Sequence, residues 1–221
     1  LISDEAYRNI YFSDYGPSSI WQISNTDLPG IQGRRISIES VSKVWNACGL
    51  RIGALVTDNK IMYQKVRSEY TANLCANVIG QFVFGAVAQM SSIEIRDWYS
   101  SQRAYYSRII DRLIKGLKNE LPGIILSSPG AAIYVVLDFK NITPPDFNTS
   151  KFIEYCSLNG KVRLNSKNYT LLLSPMKGFY SQTSKGETQA RIALVEPESK
   201  MSIVPKILSC LLKKYLKYAK L

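Results

Sequence analysis

Ser40-Val41-Ser42-Lys43, followed by Gly49-Leu50-Arg51-Ile52-Gly53 with its arginine eight positions beyond the lysine, is the stretch around which this chain is organised. A lysine among small hydroxyl residues, followed by an arginine between glycines, suits a phosphorylated aldehyde cofactor. The amine would form an imine, and the arginine with a serine would hold the phosphate as a planar fork and a neutral donor. The apolar flanks Val41, Val44 and Trp45 argue against a fully solvated amine, because burial lowers a lysine's pKa towards a useful range.

Composition sets the bounds. The 221 residues are 46% hydrophobic and 20% charged, enough to bury a substantial core in one large or two smaller domains. Twenty-eight Lys and Arg against 17 Asp and Glu give a net charge of +11. Such a surplus raises nucleic acid as a partner, but Arg34-Arg35, Arg103/Arg108/Arg112 and Lys213-Lys214 are scattered, with no basic stripe interleaved with aromatics. No nucleic-acid partner is expected. The chain has no histidine, which excludes histidine-based triads and leaves Lys, Tyr or a carboxylate for acid-base work. Cys48, Cys75, Cys156 and Cys210 are far apart and form no zinc pattern, so they read as buried thiols in a reducing compartment, the cytoplasm. No apolar run is long enough to span a bilayer, and the sequons at Asn141, Asn148 and Asn168 are expected to be coincidental.

Along the chain, Leu1-Ile2-Ser3-Asp4 reads as the end of a buried strand, and a domain seldom begins there. Residues upstream are therefore expected to have been lost, cut or carried on another chain. Asp4-Glu5-Ala6-Tyr7 sits where open α/β sheets place ligand-binding groups, although by itself it reads equally as a turn with a half-buried tyrosine. Residues 13–33 form a loop with a short helical turn; Arg35–Glu39 and Leu50–Val56 alternate as strands. From Asn59 to about Met90 the pattern is helical, through Ile61, Met62, Val66, Leu74, Val78, Phe82 and Val83, with a break near Tyr70-Thr71. Ser91-Ser92-Ile93-Glu94 is a capping box that opens a long helix ending at Leu121-Pro122-Gly123. Tyr99, Tyr105 and Tyr106 on it read as packing residues. A second composition follows, with strands at 131–137, 169–173 and 191–195, a helix at 149–158 and a terminal helix introduced by Pro197. Lys213, Lys214, Lys217 and Lys220 read as its solvated face.

Asp4-Glu5-x-Tyr7, Ser40-x-Ser42-Lys43, Gly49-x-Arg51-x-Gly53 and Arg191 in Ala190-Arg191-Ile192-Ala193-Leu194-Val195-Glu196 together resemble the pyridoxal-phosphate aminotransferases of fold type I, class I/II. Pro129-Gly130-Ala131-Ala132-Ile133-Tyr134 is similar to the segment that opens that family's small domain. The resemblance implies an α/β fold: residues 1–120 as the remainder of a large cofactor-binding domain with a mixed, mostly parallel sheet, and 121–221 as a smaller α+β domain. It implies pyridoxal 5'-phosphate as cofactor, amino-acid and 2-oxo-acid substrates, and a homodimer, since family active sites lie at a subunit interface.

Residue by residue, the resemblance implies that Lys43 forms the Schiff base and then serves as general base. Asp4 would keep the pyridine nitrogen protonated, so that the ring accepts the substrate's electrons. Tyr7 would donate to the ring's phenolic oxygen. Arg51, Ser40 and, less directly, Ser42 would bind the phosphate, and Arg191 would clamp the substrate carboxylate. The family's glycine-rich phosphate turn, ring-stacking aromatic and asparagine lie upstream of its Asp-x-x-Tyr motif and are not in this chain. Ser174-Pro175-Met176-Lys177-Gly178-Phe179 only loosely matches its Pro-Gly-x-x-Phe turn. Two outcomes are expected to compete: the C-terminal part of an aminotransferase completed in cis or by a companion chain, or a degenerate copy that keeps the fold without turnover.

Overall fold

The structure, a computed structural model of the chain, describes every residue except Tyr15, Leu74, Cys75, Thr183, Ser184, Lys220 and Leu221. The readings made for Leu74, Cys75 and Lys220 therefore lie outside the described residues. Contacts divide the chain into two compact units. One comprises Leu1–Arg103 with Gly130–Ala132, the other Ala104–Pro129 with Ile133–Leu221.

The first unit is built on a three-stranded sheet of β1 (Ile2–Asp4), β2 (Ile36–Ser40) and β3 (Gly53–Thr57), in that spatial order. β1 runs parallel to β2, with Asp4 beside Ile38, and β3 runs antiparallel to it, with Gly53 opposite Ser40. The expected strand at Leu50–Val56 starts later, because Cys48–Leu50 close a 3-10 turn and Arg51 adopts a left-handed φ of 55° before the chain extends. β2 inverts its hydrophobic pattern: Ser37 is buried and Ile38 is exposed. The inversion is tolerated because the Ser37 hydroxyl is satisfied, accepting from Trp21 Nε1 at 3.0 Å and donating to Glu39 Oε1 at 3.1 Å.

Three helices follow. α1 (Val41–Val44) is capped by Ser40, whose Oγ accepts from Ser42 N at 3.1 Å. α2 (Lys60–Ala72) is capped by Asn59, whose Oδ1 accepts from Met62 N at 2.8 Å, and it ends one residue past the break expected near Tyr70-Thr71. α3 (Val78–Gly85) packs on the turn that carries Arg51. The approach is so close that a Cβ on Gly80 would lie 2.5 Å from the Leu50 carbonyl. The helical periodicity is present, but its apolar stripe is largely uncovered: Ile61 is 72%, Val78 64%, Ile79 75% and Phe82 85% exposed.

α4 (Ser92–Glu120) opens on the expected capping box, with Ser91 Oγ accepting from Glu94 N at 3.2 Å and Glu94 Oε2 accepting from Ser91 N at 2.7 Å. Its residues from Ala104 belong to the second unit. There β4 (Ile125–Leu126), β5 (Tyr134–Asp138), α5 (Thr149–Leu158), β6 (Val162–Leu164), β7 (Lys167–Tyr169), β8 (Ser174–Pro175), β9 (Gln189–Ala193), α6 (Glu198–Met201) and α7 (Val204–Tyr218) follow in order. Four strands form an antiparallel sheet in the order β4-β5-β9-β8, and β6 and β7 form a separate hairpin. The strand expected at 169–173 is therefore not formed: Tyr169 ends β7, turned back by Asn165 and Ser166, both at positive φ. The larger core lies here. Ile109, Leu113 and Leu117 of α4, Val135 and Leu137 of β5, and Leu208 and Leu211 of α7 are all buried, each worth about 1.5–3 kcal/mol over exposure. Pro197 caps the short α6 rather than opening α7, which carries Pro205 in its first turn instead.

Candidate functional site

The sheet of the first unit brings three of the four sequence motifs to one edge. β1 and β2 run the same way, so Asp4 at the end of β1 and Ser40 at the end of β2 finish side by side, two residues apart in register. Tyr7 follows the first end, and Ser42 and Lys43 follow the second in α1. β3 runs back from that edge, so Arg51, two residues before Gly53, stands there too. With adjacent strands about 4.8 Å apart, such an edge is narrow enough for one ligand to meet all three chain segments.

α1 is the most firmly held piece. Val41 and Val44 are buried, and the indole Nε1 of Trp98 donates to the Val44 carbonyl at 3.0 Å. Trp45, next along, stacks on Trp98 with centroids 5.9 Å apart and rings 9° from parallel, and meets Phe84 at 5.7 Å and Tyr99 at 5.4 Å. Each well-packed aromatic pair adds about 0.5–1.5 kcal/mol beyond area burial. Lys43 is half-buried between these anchors, as its apolar flanks predict.

Asp4 is exposed, and its Oδ1 accepts from Ala6 N at 3.2 Å. Tyr7 is half-buried. Arg51 is exposed, its guanidinium donating to the Cys48 carbonyl at 3.0 Å. Among the described residues, neither Lys43 nor Arg51 pairs with a carboxylate, and Asp4 pairs with no cation. Two uncommitted cations, a hydroxyl and an uncommitted carboxylate at one sheet edge form a donor set that fits a small anionic ring compound. No group of side chains that could hold a metal ion occurs among the described residues.

The residues that sequence reasoning missed lie directly behind this edge. The Glu5 side chain is 2% exposed and accepts from Ile20 N at 2.7 Å, Ser19 Oγ at 2.8 Å and Arg8 Nη1 at 2.5 Å. Burial alone would raise its pKa, but these donors and the Arg8 charge outweigh it and hold the carboxyl below its ordinary value. The same Arg8 nitrogen reaches Glu39 Oε1 at 2.8 Å. A cavity of about 180 Å³ adjoins this group, lined by Glu5, Arg8, Glu39 and Ser40 and by the apolar Val41, Trp45 and Phe84. The one available signal was a glutamate inside the Asp4–Tyr7 motif; nothing in the sequence pairs Arg8 with Glu39.

Arg191 belongs to the second unit. On β9 it is paired with Val136 and Ser174, and its guanidinium lies 4.3 Å from the Tyr134 ring centre and 4.7 Å from that of Phe179. Its Nε is buried and has no hydrogen-bond partner among the described residues. A guanidinium that packs on aromatic rings keeps its planar N–H fork for hydrogen bonding. The cysteines divide: Cys156 is buried as expected, Cys210 is only half-buried and Cys48 is exposed, which corrects the reading of those two as buried thiols. Among the described residues no single helix is long and apolar enough to cross a membrane.

The chain is similar to known proteins in sequence and in fold. A sequence model described as "Aminotransferase class I and II" matches residues 1–192. The chain is 28% identical over 152 residues to the LL-diaminopimelate aminotransferase 2 of Nostoc sp., covering 69% of this chain and 35% of that protein. It is 25% identical over 144 residues to the aspartate/prephenate aminotransferase of Cereibacter sphaeroides, covering 62% and 32%. In fold it is similar to the α-aminoadipate aminotransferase of Thermus thermophilus, solved with N-(5'-phosphopyridoxyl)-L-leucine, at a TM-score of 0.76 and 18% identity, over 98% of this chain and 51% of that one. The matches thus span about a third of the curated relatives' length and about half of the solved structure's.

Proposed function

This chain belongs to the class I and II aminotransferases, and from that premise we propose that it carries the lysine-bearing wall of a pyridoxal-phosphate site used to move an amino group from an amino acid to a 2-oxo acid. The observation that supports this reading is the convergence of Asp4, Ser40, Lys43 and Arg51 on one sheet edge, with their charges uncommitted. The pyridoxal group, when bound, supplies an electron-accepting ring that stabilises the negative charge left on a substrate's α-carbon.

The chain's own residues have separate tasks. Arg51 and Ser40, with Ser42 beside them, hold the phosphate; an arginine fork and a hydroxyl suit its oxygens. The Asp4 carboxylate holds a proton on the ring nitrogen, and the Tyr7 hydroxyl donates to the ring's phenolic oxygen. Lys43 Nζ would hold the cofactor at its aldehyde carbon, and as a free amine it would take the substrate's α-proton as general base. Buried Val41 and Val44 fix the backbone of α1, from which that amine reaches. Arg191, with its Nε unused, takes the substrate's carboxylate. Residues 1–120 act as the remainder of a cofactor-binding domain and 121–221 as the small domain. The exposed apolar stripe of α2 and α3 is where a second copy would pack in a homodimer.

The extent of the matches supports a second reading, in which this chain keeps the fold and binds cofactor without turning over alone. One experiment separates the two. The purified chain, alone and with a polypeptide carrying the upstream half of the family fold, is given pyridoxal phosphate, an amino acid and a 2-oxo acid, and the new amino acid is measured. Transfer that disappears in Lys43→Ala supports the first reading. Cofactor binding without transfer in either mixture supports the second. Transfer at an unchanged rate in Lys43→Ala would sink the assignment of that lysine.

A further inference from the structure

We propose that Arg8 is a positioning residue, one that sets the spacing between the chain end bearing Asp4 and Tyr7 and the chain end bearing Ser40 and Lys43. The inference rests on the cofactor-site reading above and concerns a residue outside its four motifs.

The backbone link between β1 and β2 runs out at the site. Asp4 is the last residue of β1 in register, beside Ile38, and one further hydrogen bond joins Glu5 N to the Ile38 carbonyl at 2.9 Å. Beyond it the two chains part, one towards Tyr7 and the other into α1. There Arg8 takes over: a single Nη1 lies 2.5 Å from Glu5 Oε2 and 2.8 Å from Glu39 Oε1. Glu5 directly follows Asp4, and Glu39 directly precedes Ser40. The arginine therefore clamps the neighbours of two proposed ligand-binding residues, and through them the residues themselves.

Packing does not duplicate this link, because this side of the strand ends faces the cavity of about 180 Å³ rather than a filled core. Charge makes the link decisive. Without Arg8 two carboxylates face each other, one of them with its side chain 2% exposed, and like charges so placed push the ends apart. Serine and backbone donors hold Glu5, and the Ser37 hydroxyl with the β3 pairing holds Glu39 and Ser40, so the repulsion acts between two anchored ends and opens the gap that Arg8 closes. A shift of about 1 Å between groups that must meet one small ligand can cost as much as a hundredfold in rate.

Arg8→Met, Arg8→Lys and the double variant Arg8→Met/Glu39→Gln are to be compared with the unaltered chain, each with the upstream half of the family fold present and well below its melting temperature. Three quantities are read: the dissociation constant for pyridoxal phosphate by equilibrium dialysis, kcat and KM for amino-group transfer, and the melting temperature. Arg8→Met is expected to weaken cofactor binding and lower kcat by about tenfold or more, leaving KM for the amino acid within about threefold. The double variant is expected to regain part of both losses, since the repulsion is gone, and Arg8→Lys to lie between. A purely structural arginine would lower the melting temperature alone. Unchanged cofactor affinity and kcat in Arg8→Met, or a double variant no better than the single one, overturns the proposal. If Arg8→Met does not fold, Arg8→Lys is read in its place, and values equal to the unaltered chain's overturn it. If the unaltered chain fails to bind the cofactor even with the upstream half present, the site reading falls and this inference with it, before any variant is made.

Discussion

Replacing Glu5 by alanine is expected to destabilise the first unit markedly. The carboxylate is 2% exposed and satisfies three donors at once: Ile20 N, Ser19 Oγ and Arg8 Nη1. Deleting it leaves a buried backbone N–H and a hydroxyl without their acceptor and removes one of the two partners of Arg8. An unsatisfied buried polar group costs about 1–3 kcal/mol, and breaking a buried ion pair about 3–5 kcal/mol. Arg8 is 29% exposed and keeps Glu39, so its share is discounted, and the sum expected for Glu5→Ala is about 3–4 kcal/mol. Glu5→Gln keeps the shape and one acceptor but loses the charge, and about half that loss is expected. At about 2–4 °C per kcal/mol for a chain of this size, Glu5→Ala should lower Tm by roughly 6–16 °C. Urea unfolding followed through the fluorescence of Trp21, Trp45 and Trp98 gives the free energy directly. A loss below about 1 kcal/mol for Glu5→Ala would refute the reasoning, because the carboxylate would then not be what ties β1 to the Ser19–Ile20 turn.

Two further outcomes follow from the same physics. Glu5, Asp58 and Asp138 all have carboxyls held below their ordinary values by hydrogen bonds that outweigh burial, with Gln189, Thr188 and Lys140 N as the donors around Asp138. Their stabilisation is present above the unfolded-state pKa of about 4 and is lost as pH falls through the lowered folded values. Tm should therefore be flat between about pH 6 and 8 and fall below about pH 4, with a shallower fall in Asp138→Asn; an unchanged acid slope in that variant would contradict the assignment. Among the cysteines, burial pushes the Cys156 thiol up to about 12, while Cys48 is exposed. Iodoacetamide at pH 8 should label Cys48 in the folded chain and Cys156 only after urea, as read by peptide mass; prompt labelling of Cys156 would show that its helix opens.

Much of the fold was legible where a local signal coincided with a periodic one. Ser91 with Glu94 caps α4 where the capping box places its start, and α5 covers Thr149–Leu158 as expected. The hairpin of β6 and β7 was not legible. Its two-residue turn places Asn165 at φ 47° and Ser166 at 64°, a geometry that usually announces itself with a glycine, and this one has none. The uncovered stripe on α2 and α3 marks another limit, since periodicity tells which residues share a face and not what lies against it. For the proposed site, the sheet brings three of the four motifs to one edge, and the motif residues were named from their resemblance to a family's motifs. Their supports were not, because Trp98 reaches the Val44 carbonyl across 54 positions and Arg8 reaches Glu39 across 31, contacts that no local pattern encodes.

The central claim is that Lys43 is the amine that receives the cofactor. The most direct measurement is to incubate the chain with pyridoxal phosphate, with and without the upstream half of the fold, reduce with borohydride, digest, and locate the added mass. The expected label is on the peptide containing Ser42-Lys43-Val44, at one per chain, and it is absent from Lys43→Ala. Label spread over the surface lysines, label at a single lysine elsewhere, or no label even with the upstream half present would contradict it.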